Sequence, residues 1–80
     1  MLTPTIEQII ADKRAKLSAR LVALTPYWPA SERRNWCLHN ALSEDRIRRS
    51  YLKGSVHIIP VAEKLIEAIE SYMKQNEIAA

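Results

Sequence analysis

Apolar side chains recur at helical spacing near the start of the chain, where Ile6, Ile10, Leu17, Leu21 and Leu24 fall on one face with Ile9 beside them. Glu7, Gln8, Asp12, Lys13, Lys16 and Arg20 take the other face. With Thr3 as a cap ahead of Pro4, this pattern predicts an amphipathic helix over about 4–24. Pro26 and Pro29 end it, because each pushes the residue before it out of α geometry, and 25–29 reads as a turn. A second broad apolar face comes late. Val61, Leu65, Ile69 and Tyr72, flanked by Ala62, Ile66, Ala68 and Met73, oppose Glu63, Lys64, Glu67, Glu70 and Lys74, and predict a helix from Pro60 to about residue 75 with a frayed tail over 76–80.

Between them the pattern is shorter-ranged. Ser31 is a candidate cap for a helix from Glu32 to about Asn40 whose apolar group is Trp36, Cys37 and Leu38. After Ala41-Leu42-Ser43, Ser43 caps a further segment with Glu44 and Asp45 in its first turn, where carboxylates favour the positive end of the helix dipole. Ile47 and Tyr51 form its inward stripe, and Gly54 suits a left-handed stop. Val56-His57-Ile58-Ile59 is β-branched and fits either an extended connection or a short strand.

Composition narrows the fold class. One glycine and four prolines leave too few turns for a many-stranded sheet, so the expectation is an all-α bundle of four to five helices. With 80 residues, 48% apolar and 26% charged, the chain has room for one folded domain with a thin core. Cys37 has no partner for a disulfide, and one cysteine with His39 and His57 at no motif spacing offers no metal site, so no cofactor or metal is expected. No paired acid and histidine, glycine-rich phosphate loop or nucleophile–base pair is present, and no enzyme is expected. No apolar run is long enough to span a bilayer, and the start lacks the basic and apolar regions of a signal peptide, so a reducing cytoplasm is the expected compartment.

The formal charge of +3 is unevenly spread. Residues 1–30 carry four basic and two acidic groups (+2), residues 31–54 six and three (+3), and residues 55–80 two and four (−2). The middle block bunches Arg33 and Arg34, then Arg46, Arg48, Arg49 and Lys53, as a positive patch awaiting an anionic partner.

A short helix, the tripeptide Ala41-Leu42-Ser43 and a second short helix rich in arginine are the order of a helix-turn-helix. From residue 31 to about 70 the chain resembles the lambda-repressor and Cro class of phage and bacterial regulators. In that pattern Cys37 is the small residue inside the first motif helix, Leu42 and Ser43 the apolar residue and cap, Ile47 the inward residue of the recognition helix, Gly54 the glycine after it, and Ala62, Leu65 and Ile69 the next helix. Ala41 stands where glycine is common, Asn40 where an apolar residue is usual, Gly54 arrives one position late, and Ile58-Ile59 replaces a polar loop.

The resemblance implies a sequence-specific transcriptional regulator that binds double-stranded DNA as a homodimer, with the first or last long helix pairing the two copies. Glu44, Asp45, Arg46 and Arg49 would then face base edges, carboxylates accepting from cytosine N4 and arginines donating to guanine O6 and N7. Ser31, Arg33, Arg34, Ser43, Arg48 and Lys53 would meet phosphates. The bland reading is a solvated arginine face on a helical protein-interaction module, an adaptor or inhibitor that binds a protein partner and no nucleic acid. A membrane-surface helix over residues 4–24 is a third reading, without the aromatic residues usual at interfaces.

Overall fold

The computed structural model describes residue 3 and residues 5–78, and folds them into four α-helices: α1 (Ile6–Leu24), α2 (Ala30–His39), α3 (Glu44–Arg49) and α4 (Ile59–Gln75). Two single 3-10 turns, Thr25–Tyr27 and Tyr51–Lys53, follow α1 and α3, and no strand occurs among the described residues. This is the all-α bundle that the composition predicts.

Local chemistry sets the ends. The first helix is capped by Thr5, not Thr3, because only Thr5 has glutamine three residues on. Its Oγ1 accepts from the Gln8 amide at 3.2 Å, and Gln8 Oε1 accepts from the Thr5 amide at 2.9 Å, a reciprocal capping box. Thr3 is exposed and irregular, and Pro4, the expected first helical residue, lies outside the described residues. At the far end Thr25 Oγ1 donates to the Leu21 carbonyl at 2.7 Å and approaches the Leu52 carbonyl at 3.3 Å, tying the end of α1 to the chain beyond α3. Trp28 is extended ahead of Pro29, as a residue before proline must be.

Two further starts differ from the pattern. Pro29 is the N-cap of α2 without any side-chain bond, which puts Ser31 one turn position inside the helix and removes its capping role. The Val56–Ile59 stretch is no strand: Ile58 is extended (φ −113°, ψ 114°), and α4 opens at Ile59 with Pro60 in its first turn. The tail does not fray at once. Glu77 is left-handed (φ 54°), and the Ile78 amide donates back to the Met73 carbonyl at 2.8 Å, so Ile78 folds against the core. Ala79 and Ala80, the rest of the expected frayed tail, lie outside the described residues.

One apolar cluster joins every helix: Leu21 and Leu24 from α1, Cys37 from α2, Ile47 from α3, and Ala62, Leu65, Ile69 and Met73 from α4, with Trp28, Tyr51, Leu52 and Val56 between. Burying each large aliphatic side chain contributes roughly 1.5–3 kcal/mol. The major helix pair is α1 with α4. Lys13 faces Glu63 at 3.8 Å and Arg20 faces Glu70 at 3.5 Å, seven residues on in both helices, so the two run parallel. The α1 stripe is not buried along its whole length: Leu21 and Leu24 are 0% exposed, Ile10 40% and Ile6 76%. The sequence marks that whole face as apolar, but the body of the protein covers only its second half.

Candidate nucleic-acid interface

The segment from α2 to α3 is built around a turn with an unusual residue at its centre. After Asn40, whose side chain caps the Trp36 carbonyl at 2.8 Å, Ala41 adopts φ 53°. The left-handed step lets the Leu42 amide donate to the Cys37 carbonyl at 2.9 Å and the Ala41 amide to that of Leu38 at 3.3 Å, closing α2 within two residues. Glycine is the usual occupant of such a position, because a Cβ there crowds the following carbonyl. Ser43 then caps α3, its Oγ accepting from the Arg46 amide at 3.4 Å.

Two residues hold α3 to the body. Ile47 is 1% exposed in the core. Tyr51, one turn on, is also buried, and its hydroxyl accepts from the Ile58 amide at 3.0 Å. With Ile47 turned inward, the outer side of α3 carries Asp45, Arg46, Arg48 and Arg49, all exposed. The helix itself is short, six residues, and breaks at Ser50 into the 3-10 turn that ends at Gly54 (φ 97°).

The charged residues are arranged in two groups. Arg33, expected to meet phosphate, is instead nearly buried: its side chain is 16% exposed and Nη2 donates to Glu44 Oε1 at 3.3 Å. Arg34 reaches the other oxygen of Glu44 at 4.0 Å from a far more exposed position. Glu44, expected at a base edge, is therefore half-buried and committed to joining α2 to α3. Its charge also acts on Cys37. Burial raises the pKa of that thiol, the Glu44 carboxylate raises it further and Arg33 opposes them, which leaves a protonated thiol. In the second group Arg48 bonds Asp45 at 2.6 Å and Arg49 pairs with it at 3.4 Å. The hydrogen bond from Arg48, then the charge of Arg49, hold the Asp45 carboxyl below its ordinary range.

Arg46 stands apart. It is exposed, makes no ion pair among the described residues, and rims a cavity of about 170 Å³ floored by Leu42, Ile47 and Val61. Lys53 is exposed on the 3-10 turn, which packs on both α1 and α3, and Ser31 is exposed in the first turn of α2. The structure thus gathers Arg33, Arg34, Glu44, Asp45, Arg46, Arg48 and Arg49 around the turn, and leaves Ser31 and Lys53 at its ends. The Arg33–Glu44 tie escapes sequence reading. Its one signal is a pair of opposite charges bracketing the turn, eleven residues apart.

Trp36 is half-buried and meets Trp28 edge-on at 6.2 Å between centroids, a packing role. His39 and His57 are both exposed, and no group of three His, Cys, Asp or Glu side chains that could hold a metal exists among the described residues. No helix among them is long and apolar enough to cross a membrane. In comparisons with known proteins, no protein family, no curated protein and no solved structure matches this chain.

Proposed function

We propose that the protein binds double-stranded DNA with the α2–turn–α3 unit, as a helix-turn-helix regulator of the lambda-repressor and Cro kind, two copies meeting a symmetric site. One observation carries the reading. A tight turn with Ala41 left-handed and Ile47 anchored in the core presents a helix whose four exposed side chains are all charged, three of them arginines. Arg46 and Arg49, three apart on the outer side, are the base-edge candidates, and Arg46 enters with no partner to give up. Arg48 and Arg34, each exposed and paired only at the surface, suit phosphates, whose contacts fix register without reading sequence. Asp45 pairs with both of its arginines, and in this reading it would accept from a cytosine amino group as they turn to the DNA.

The alternative, a protein-interaction module without DNA binding, is favoured by the internal neutralisation of the same patch, since Glu44 and Asp45 between them pair four arginines. The two readings separate on sequence dependence. Once a preferred duplex has been selected, Arg46→Ala or Arg49→Ala should weaken its binding by about 1–3 kcal/mol and relax the preference at one position. Arg34→Ala should weaken all duplexes alike. Equal small losses from all three contradict the role assignment.

A further inference from the structure

Beside the core, α1 and α4 enclose a second surface that the α2–α3 unit does not use. A groove of about 610 Å³ runs along their junction, floored by Leu17 and Ile66 and edged on α4 by Glu63, Glu67 and Glu70, with Ser71 and Lys74 toward its far end. On the α1 side its edge is basic, because Lys13 and Arg20 reach across to Glu63 and Glu70. Ile6, Ile9, Lys13, Leu17 and Arg20 follow one another at three- and four-residue steps, so the isoleucines continue the same edge toward the tip of α1. Ile6 is 76% and Ile9 55% exposed, and both lie at or beyond the level where α4 begins. The result is a two-helix face with a basic ridge, a mainly acidic ridge and an apolar end that no other described residue covers.

We infer that this face pairs two copies of the chain, with the two-fold axis running along the helices, to form a parallel four-helix bundle of two α1 and two α4. Charge decides the orientation. The basic and acidic ridges lie side by side with the same seven-residue repeat, 13 and 20 against 63 and 70. A two-fold axis along the helices exchanges left for right, so each α1 ridge comes to lie on the partner's α4 ridge and opposite charges meet. A two-fold axis across the helices keeps left on left and sets basic ridge on basic ridge. In the first arrangement Glu67, which makes no ion pair among the described residues, gains Lys13 and Arg20 of the other copy as neighbours, and Ile9 of each copy comes to the level where the other copy's α4 begins. A face two helices wide and nineteen α1 residues long measures roughly 20 by 28 Å before side-chain relief is counted. That is the order of the ~800 Å² per partner of a standard interface. Trp36 of α2 packs near Ala68 and Tyr72 on the adjoining side of α4, with Glu67 and Ser71 between it and the groove.

This deepens the DNA reading by naming the surface through which two copies meet, but it is tested without DNA, so its failure leaves that reading in place. The experiment is sedimentation velocity on the full chain up to about 0.1 mM, with circular dichroism to check folding. The wild type should sediment as a dimer, and Ile9→Glu, at an exposed site, should shift it to monomer with an unchanged spectrum. Reversing one ridge, as Glu63→Lys with Glu70→Lys, should dissociate the dimer, and adding Lys13→Glu with Arg20→Glu in the same chain should restore it. A wild-type monomer throughout, or a dimer that survives Ile9→Glu, overturns the proposal; a fourfold variant that stays monomeric overturns the orientation.

Discussion

Two of the described residues in left-handed geometry, Ala41 and Gly54, have opposite chemical suitability for it and predict opposite responses to a single methyl group. Ala41 has φ 53° and Gly54 has φ 97°. A side chain in the left-handed region costs roughly 1–2 kcal/mol. Glycine avoids that cost, but loses about 0.5–1 kcal/mol more backbone entropy than alanine on folding. Ala41→Gly should therefore stabilise the protein by about 0.5–1 kcal/mol, a rise in Tm of about 2–8 °C for a domain of this size. Gly54→Ala reverses both contributions and adds a contact, because a Cβ on Gly54 would stand 3.3 Å from Val22 Cγ2. It should destabilise by about 1–2 kcal/mol and lower Tm by about 4–16 °C. Thermal melts followed by circular dichroism at 222 nm, with urea titrations to check that m is unchanged, read both values. A fall in Tm for Ala41→Gly would refute the left-handed turn, and with it the geometry that presents α3.

Three other outcomes follow from the charged cluster and its neighbour. Arg33→Ala should cost about 1–2 kcal/mol, since it leaves half-buried Glu44 with only the exposed Arg34 at 4.0 Å, whereas Arg34→Ala should cost less than about 0.5 kcal/mol; equal costs would show that the Arg33–Glu44 tie is no stronger than a surface pair. Asp45 has a folded pKa below its unfolded value of about 3.9, so its ion pairs stabilise above that pH and their effect is lost as pH falls through the folded value. The Tm difference between wild type and Asp45→Asn should then shrink on acidification and in high salt, and a difference that grows toward low pH contradicts the pairing. Cys37, buried with a raised pKa, should react slowly with a thiol reagent at pH 8 in the native protein and fast in denaturant, and equal rates would place it outside the core.

Periodicity made α1 and α4 legible, because Leu17, Leu21, Leu24 and then Val61, Leu65, Ile69 mark one face each, and those faces are the ones that meet the core. Ser43, Ile47, Tyr51 and Gly54 were equally readable, since each acts through its own local chemistry: a cap, an inward stripe, a left-handed stop. What the pattern hid depends on distant partners. Thr3 and Thr5 are alike until Gln8 selects one of them. Arg33 reads as one more surface arginine until the turn brings Glu44 against it. Ile6 and Ile9 read as core because helical spacing reports an apolar face but not the length of the body that covers it.

Whether the α2–turn–α3 unit meets DNA is tested by fluorescence anisotropy of a labelled random-sequence duplex at several salt concentrations, comparing wild type with an Arg34→Ala, Arg48→Ala double variant that removes two phosphate contacts and no base contact. Wild-type affinity should fall linearly on a log–log plot against salt, from counterion release, and the variant should bind more weakly with a shallower slope. No binding at low salt, or binding that the double variant leaves unchanged, would contradict DNA binding by this unit and turn the search toward a protein partner for the same arginines.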